Sequence, residues 1–416
     1  MKSSLKPDRE LKNWIRDIRR HIHRHPELGF QEYNTSMHIR QKLRELDIPF
    51  HFEIAGTGII ATMGDKDPSA PCIALRADMD GLPIEEKTGL SFSSQNPGVM
   101  HACGHDGHVA MLLGAAALLK KQSIPGRVVL IFQPAEEGEG GARTMISQGA
   151  LKGVDAIFGG HIDRHFEVGR IGVEPGLICA YTDSFHIKIS GKGGHAAKPH
   201  ETVDIIVVAS LLVMSIQTLV SREINPAFPT VVTVGRIRAG SAANVIAEHA
   251  VLEGTIRATH TKARKKIIAG LTRMVKAMED LYHAETYVEF TKGYPPVVND
   301  PTAVDIARDA ASTVVNDSGV MGLPYPSLGG EDFSYYLEHV PGCFVRFGAM
   351  KKGFENAPAH SPFFDFDEKA LPVGASFLAK VALTALDRID EIRAVKKNVI
   401  VHRARGLRSG RAFATP

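Results

Sequence analysis

Gly126-Arg127-Val128-Val129-Leu130-Ile131-Phe132-Gln133-Pro134-Ala135-Glu136-Glu137-Gly138 passes from a run of β-branched and aromatic residues straight into a pair of acids. The apolar part is short and bounded by Gly and Pro, which predicts a strand buried on both faces. Two carboxylates directly after such a strand are hard to explain as surface charge. Open α/β sheets place their sites at the carboxyl ends of their strands.

Three neighbouring segments repeat the pattern. Cys72-Ile73-Ala74-Leu75-Arg76 reads as a strand that runs into Asp78-Met79-Asp80-Gly81. Taken alone, those acids fit either a site or an Asp-capped turn. Val154–His161 is another apolar strand, and it ends on a histidine. Met100-His101-Ala102-Cys103-Gly104-His105-Asp106-Gly107-His108 opens a small, apolar, buried helix over Val109–Leu119. That stretch suits a metal, for which thiolate and imidazole are usual donors, or a His-rich helix terminus. Four successive element ends thus deliver Asp, Cys/His, Glu/Glu and His. Strands alternating with helices imply an α/β fold with a mostly parallel sheet and its site at one edge.

Upstream, Leu11, Trp14, Ile15, Ile18 and Ile22 recur at helical spacing, and Pro26 ends that helix. A second helix is expected over 31–46, with Met37, Ile39, Leu43 and Leu46 on its apolar side. His21, His23 and His25 read as a packed polar helix terminus. Gly58–Met63 reads as a further strand.

Downstream the style changes. Strands at 185–189, 231–237, 250–258 and 286–291 interleave with helices at 203–220 and 262–283. That β-α-β-β-α-β order is ferredoxin-like. The expected organisation is a first catalytic part over 1–183, an inserted α+β domain over 184–294, and a second catalytic part over 295–395. The second part carries a helix at 303–314, a strand at 343–348 and a closing helix at 368–393.

At 416 residues the chain exceeds one typical core, and 44% hydrophobic with 23% charged content is ordinary for a globular protein. The net charge of +3 is a tail property. Seven Lys/Arg and no acid follow Ile392, which leaves the preceding chain at −4. The tail, 396–416, is expected to be a solvated terminus, and no nucleic-acid face is implied. With no uninterrupted apolar run near the ~20 residues of a membrane span, no h-region at the start and four scattered cysteines, the expectation is a cytoplasmic protein with no membrane partner.

Pooled donors are Cys103, His105, one of the two glutamates, His161 and His360, the last in the Pro-fenced Asn356-Ala357-Pro358-Ala359-His360-Ser361-Pro362. Five donors exceed the needs of one tetrahedral ion and suit two ions sharing a bridge. The glutamates then divide the work, one coordinating and the other moving a proton.

These residues carry a family resemblance. From about residue 11 to 390 the chain resembles the co-catalytic metallohydrolases of the aminoacylase and carboxypeptidase G type. Within them it is most similar to the amidohydrolase branch of hippurate hydrolases, auxin-conjugate hydrolases and bacterial N-acyl-amino-acid deacylases. The motifs are His25-Pro26-Glu27-Leu28-Gly29, Asp78-Met79-Asp80-Gly81-Leu82-Pro83, Met100–Asp106, Gln133–Gly138, Gly193-Gly194-His195-Ala196-Ala197, Gly330-Glu331-Asp332-Phe333 and His360-Ser361-Pro362.

The resemblance implies two divalent ions (Zn, Mn, Ni or Co) on Cys103, His105, Glu137, His161 and His360. Glu136 would be general base and acid toward a metal-bridged water, above supporting Asp78 and Asp80. It further implies a lid and dimerisation role for the inserted domain, in a homodimer or tetramer. His195 would reach a partner's site to stabilise an oxyanion, and Asn244 with Arg257 would bind the carboxylate of an N-acyl amino acid. Glu331-Asp332 reads by default as a helix N-cap pair, although the resemblance implies a place close to the site, and His101 and His108 read as support or caps. An N-acetyl-diaminopimelate deacetylase or a dipeptidase/carboxypeptidase stays open within the family. A zinc deaminase needs a Cys-x-x-Cys that this chain lacks. A metal-free binding protein on the same fold needs broken ligands, and none is broken.

Overall fold

A computed structural model describes residues 5–354 and 356–396. The chain forms two compact units. The first comprises residues up to Gly176, Val297–Pro324 and those from Asp332 onward; the second comprises Leu177–Pro296 and Tyr325–Glu331.

The first unit is built on an eight-stranded sheet. Its centre is four parallel strands, in the spatial order Arg127–Gln133, Cys72–Asp78, Ala156–Asp163 and Gly342–Gly348. Gly58–Gly64 joins Arg127–Gln133 antiparallel, and Phe50–Ile54 joins Gly58–Gly64 antiparallel. Toward the other edge Ile171–Gly172 runs antiparallel to Gly342–Gly348, and Val320–Met321 closes the sheet parallel to Ile171–Gly172. Phe50–Ile54 is a strand the sequence did not disclose; its residues are largely exposed, so it shows no buried pattern to read.

All seven residues of Cys72–Asp78 are buried, as a central strand covered on both faces requires. The His105–Leu119 helix is likewise buried all round. That is why its sequence has no polar face. It packs between the Arg9–Arg24 and Ala370–Asp387 helices. Met37, expected on the apolar side of the Tyr33–Glu45 helix, is instead 55% exposed, while Ile39 and Leu43 carry the burial.

Register fixes the site. Asp78 pairs with Gln133, so the acids after both strands emerge together. Ile73 pairs with Ala156 and Leu75 with Phe158, an offset that puts Asp78 level with His161.

The second unit holds a four-stranded antiparallel sheet, in the order Thr230–Ala239, His249–Ala258, Tyr181–Ser190, Glu285–Lys292. Helices Ile205–Thr218 and Thr261–Tyr282 supply its core with Ile205, Leu212, Ile267 and Leu271. The connectivity is β-α-β-β-α-β, the ferredoxin-like pattern. Its first strand starts at Tyr181, ahead of the expected 185, because Thr182 and Asp183 still pair with Arg257 and Lys292.

Two helices, Ile205–Glu223 and Ala370–Asp387, are long and apolar enough to cross a membrane by length and composition alone. Each contributes buried residues to its own unit's core. The closing helix ends at Asp387. Beyond it, Arg393 and Lys396 ion-pair with Asp155 at 3.0 and 3.3 Å. The remainder of the basic tail lies outside the described residues.

Candidate metal centre

Cys103 and His105 flank Gly104, whose φ of +99° is a left-handed conformation that an L side chain rarely adopts. This turn starts the His105–Leu119 helix and aims both side chains at one point. His360, distant in sequence, is brought in by its backbone: its N–H donates to Ala102 O at 2.8 Å. His161 arrives at the end of its strand.

The ligand atoms of Cys103, His105 and His161 lie within 4.8 Å of one another, as do those of Cys103, Glu137 and His360. Two donor triads therefore share one sulfur. A third group, His105, Glu136 and Glu137, meets the same distance and places the second glutamate against the first two.

Hydrogen bonds fix which ring atoms are offered. His105 Nδ1 is committed to Asp80, at 3.0 Å from its carbonyl and 3.2 Å from Oδ1, which leaves Nε2 facing the cluster. His161 Nδ1 donates to Ile162 O at 2.7 Å, which leaves Nε2 3.3 Å from Cys103 Sγ. Asp80 Oδ2 accepts the Glu137 N–H at 3.0 Å. His105 Nε2 and Glu137 Oε1 are buried and 3.9 Å apart, and His360 Nε2 lies 3.2 Å from the same Glu137 oxygen. Buried nitrogen, sulfur and oxygen ligand atoms converging on one point fit a metal ion. Thiolate, imidazole and carboxylate together suit borderline divalent ions.

The electrostatics point the same way. Burial and Glu137 push the Cys103 thiol up. Burial opposes charge on His105, but Asp78 and the Asp80 hydrogen bond outweigh it and raise the imidazole well above its usual range. Hydrogen bonds to Cys103 and Glu137 lift His360 to about 10. His161 goes down, through burial and the nearby His108. The cluster holds protons where a cation would relieve it.

Asp78 is buried beside His105 and His108. It accepts from His108 Nδ1 at 2.6 Å and from Arg76 Nη1 at 2.6 Å. Burial alone would raise its pKa, yet His105 and Arg76 hold it well below the carboxylate range. His108 takes the supporting role: its Nε2 accepts the Ile162 N–H at 2.9 Å. His101 is buried and neither ring nitrogen is hydrogen-bonded within the described chain. His23 bonds Asp106 at 2.8 Å, a polar helix terminus as read, and His21 and His25 join no donor cluster among the described residues.

The Glu136 turn is held from two sides. Ala135 has φ +54°. Its N–H donates to the buried Glu32 carboxylate at 2.9 Å, and Thr57 Oγ1 donates to the other oxygen at 2.5 Å. Burial pushes Glu32 up to about 7. From the other side the Asp332 N–H donates to Glu136 Oε1 at 3.3 Å. Asp332 precedes the Phe333–Leu337 helix, but its side chain does not cap it, contrary to the N-cap reading. The carboxylate turns instead to Arg76, Gln133 and the Ala142 N–H. Asp332 thus lies by the site, where the family resemblance puts its motif, whereas sequence reasoning did not single out Arg76 or Glu32. A lone arginine inside Cys72-Ile73-Ala74-Leu75-Arg76-Ala77-Asp78 was the available signal.

In the second unit, His195 is exposed on a two-stranded ribbon, paired with Val245. Its Nδ1 accepts the Ala197 N–H at 3.0 Å, so a neutral ring carries its proton on the outward Nε2. Asn244 adjoins it, its carbonyl accepting the Ala196 N–H at 3.1 Å. Arg257 lies half-buried on the His249–Ala258 strand beside the buried Ile256, so it projects from the opposite face.

The family profile of Peptidase family M20/M25/M40 matches residues 74–384. The chain belongs to this family. Among M20/M25/M40 relatives, N-acetyl-L-cysteine deacetylase of Bacillus subtilis is 41% identical over 386 residues, covering 92% of this chain and 90% of that protein. IAA-amino acid hydrolase ILR1-like 4 of Arabidopsis thaliana is 39% identical, covering 89% and 85%. Thermostable carboxypeptidase 1 of Saccharolobus solfataricus is 42% identical, covering 91% and 97%. A solved Bacillus subtilis structure, described as a dinuclear metal binding peptidase of the M20 family, superposes with a TM-score of 0.79 at 36% identity, over 91% of this chain and 99% of that one. This M20/M25/M40 chain is thus a metal-dependent amide hydrolase with an α/β fold.

Proposed function

We propose that this enzyme cleaves the amide bond of N-acyl amino acids, in the class of N-acetyl, hippurate-like or related conjugates. The observation that carries the reading is Glu136: it lies within 4.8 Å of both His105 and Glu137, beside two donor triads. Divalent ions (zinc, manganese, nickel or cobalt) on Cys103, His105, Glu137, His161 and His360 would supply Lewis acidity toward a water molecule and the acyl carbonyl. Glu136 takes the proton from the attacking water and returns it to the leaving amine nitrogen as the carbon–nitrogen bond breaks. The outward Nε2–H of His195 is a donor for the developing oxyanion, in the site of a second copy. Arg257, with Asn244, serves the free carboxylate of the amino acid.

A homodimer through the second unit is supported by an exposed apolar helix face: Ile206, Val207, Leu211 and Met214 are 45, 47, 39 and 69% exposed. Four free cysteines among the described residues suit the reducing cytoplasm. The similarity to a carboxypeptidase supports a second reading, cleavage of small peptides at the same site.

The test is Glu136→Gln with metal analysis and a panel of N-acetyl, N-benzoyl and N-aminobenzoyl amino acids. The expected result is unchanged metal content with turnover reduced about 10³-fold or more. Full turnover in that variant overturns the assignment.

A further inference from the structure

Arg76 is 3% exposed on the strand that delivers Asp78. Its guanidinium has three directed arms: Nε to Gln133 Oε1 at 2.8 Å, Nη1 to Asp78 Oδ2 at 2.6 Å and Nη2 to Asp332 Oδ1 at 2.7 Å. Each arm lands on a different element. Gln133 ends the neighbouring strand, and its Nε2 also donates to Asp332 Oδ2 at 2.8 Å. Asp78 braces His108 and lies 3.8 Å from His105 Nε2. Asp332 presents its own N–H to Glu136.

A charge is costly in such a place. Burying a guanidinium costs several kcal/mol before its partners repay it, and an apolar side chain of the same volume fills a core more cheaply. What the fork provides is geometry. Its rigid plane holds Asp78 and Asp332 at fixed distances from one another, which an ammonium on a flexible stem does not. Asp78 supports the donor cluster from beneath, next to His105 and His108, and Asp332 lies on the proton-transfer side. One side chain therefore spans both.

We propose that Arg76 is a positioning residue that sets the Glu136 carboxylate relative to the donor cluster, acting through Asp332. This rests on Glu136 being the base. A misplacement of about 1 Å at such a group costs on the order of 10²-fold in rate. A simpler role, neutralising two buried carboxylates, requires only a positive charge at the same point. The two roles separate experimentally.

The test is a double-mutant cycle in turnover. Arg76→Lys keeps the charge and loses the fork. The expected result is a fall in kcat of about 30- to 100-fold, with KM within about 2-fold and metal content retained. In the Glu136→Gln background the same change should cost less than about 2-fold, because positioning a base that is gone has no value. A structural or metal-holding role would impose its full cost in both backgrounds. Asp332→Asn, which keeps shape, is carried in parallel under the same criteria and decides the matter if Arg76→Lys does not fold. Unchanged kcat in the single variant, or losses that multiply in the double, overturns the inference while leaving the base assignment intact. Full turnover in Glu136→Gln alone overturns the base assignment instead.

Discussion

Cys103 Sγ lies 3.3 Å from His161 Nε2, and the same sulfur belongs to a second donor triad with Glu137 and His360. A shared donor cannot be lost without affecting both triads. Cys103→Ala should bind fewer than two ions by plasma mass spectrometry and lose at least about 100-fold in turnover. Cys103→Asp restores an anionic donor but a harder one, and should shift metal preference toward manganese. Chelation of the wild type should lower the Tm by several degrees, on the order of 1–3 kcal/mol, reversibly on metal addition. A wild-type Tm insensitive to chelator would count against a resident metal.

The second prediction concerns the turn before the base. A Cβ built on Gly141 would sit 1.7 Å from Pro134 O, far closer than any real contact. That carbonyl opens the segment carrying Ala135 and Glu136, and it must move. Gly141→Ala should therefore reduce kcat at least about 10-fold and cost about 1–3 kcal/mol in stability. Gly138, at φ +93° with open space around its Cβ, is the control. Gly138→Ala should cost only about 1 kcal/mol of backbone strain. Equal effects from the two variants would refute the steric argument.

Glu32 gives a pH signature. Burial raises its folded pKa from 4.5 to about 7. The folded state thus holds the proton more tightly than the unfolded chain does. Its contribution is fully present below about pH 4.5 and is lost as pH rises through 7, for at most about 3 kcal/mol. Glu32→Gln removes that dependence while keeping an acceptor for the Ala135 N–H. Thermal melts should show the variant gaining on the wild type between pH 5 and pH 8. A pH-independent difference would contradict the assignment.

The proposed role of His195 in a second copy's site is testable by mixing. His195→Ala and Glu136→Gln are each expected to be nearly inactive. Randomly re-associated heterodimers restore one complete site in half the dimers, about a quarter of wild-type activity. Mixtures no more active than the separate variants would sink a site shared between copies.

The sequence by itself determined the parallel core and the chemistry at its edge. Strand ends carrying Asp78, Glu136, Glu137 and His161, and a helix start carrying Cys103 and His105, were legible because two-sided burial makes strands uniformly apolar and sets polar residues at their ends in relief. The β-α-β-β-α-β unit was legible for a different reason: burial on one face only makes its strands alternate between apolar and polar residues. Phe50–Ile54 and Met37 were not, since exposed residues answer to no burial pattern. Only the tertiary structure decided that Arg76 joins Asp78 to Asp332, that Asp332 faces Glu136 rather than capping its helix, and that Glu32 supports Ala135. Apart from Arg76–Asp78 within one strand, these contacts join groups on different elements, up to 256 residues apart. Local propensity and periodicity carry no information about such partners. Their geometry is set by strand register and by the need to satisfy every buried charge.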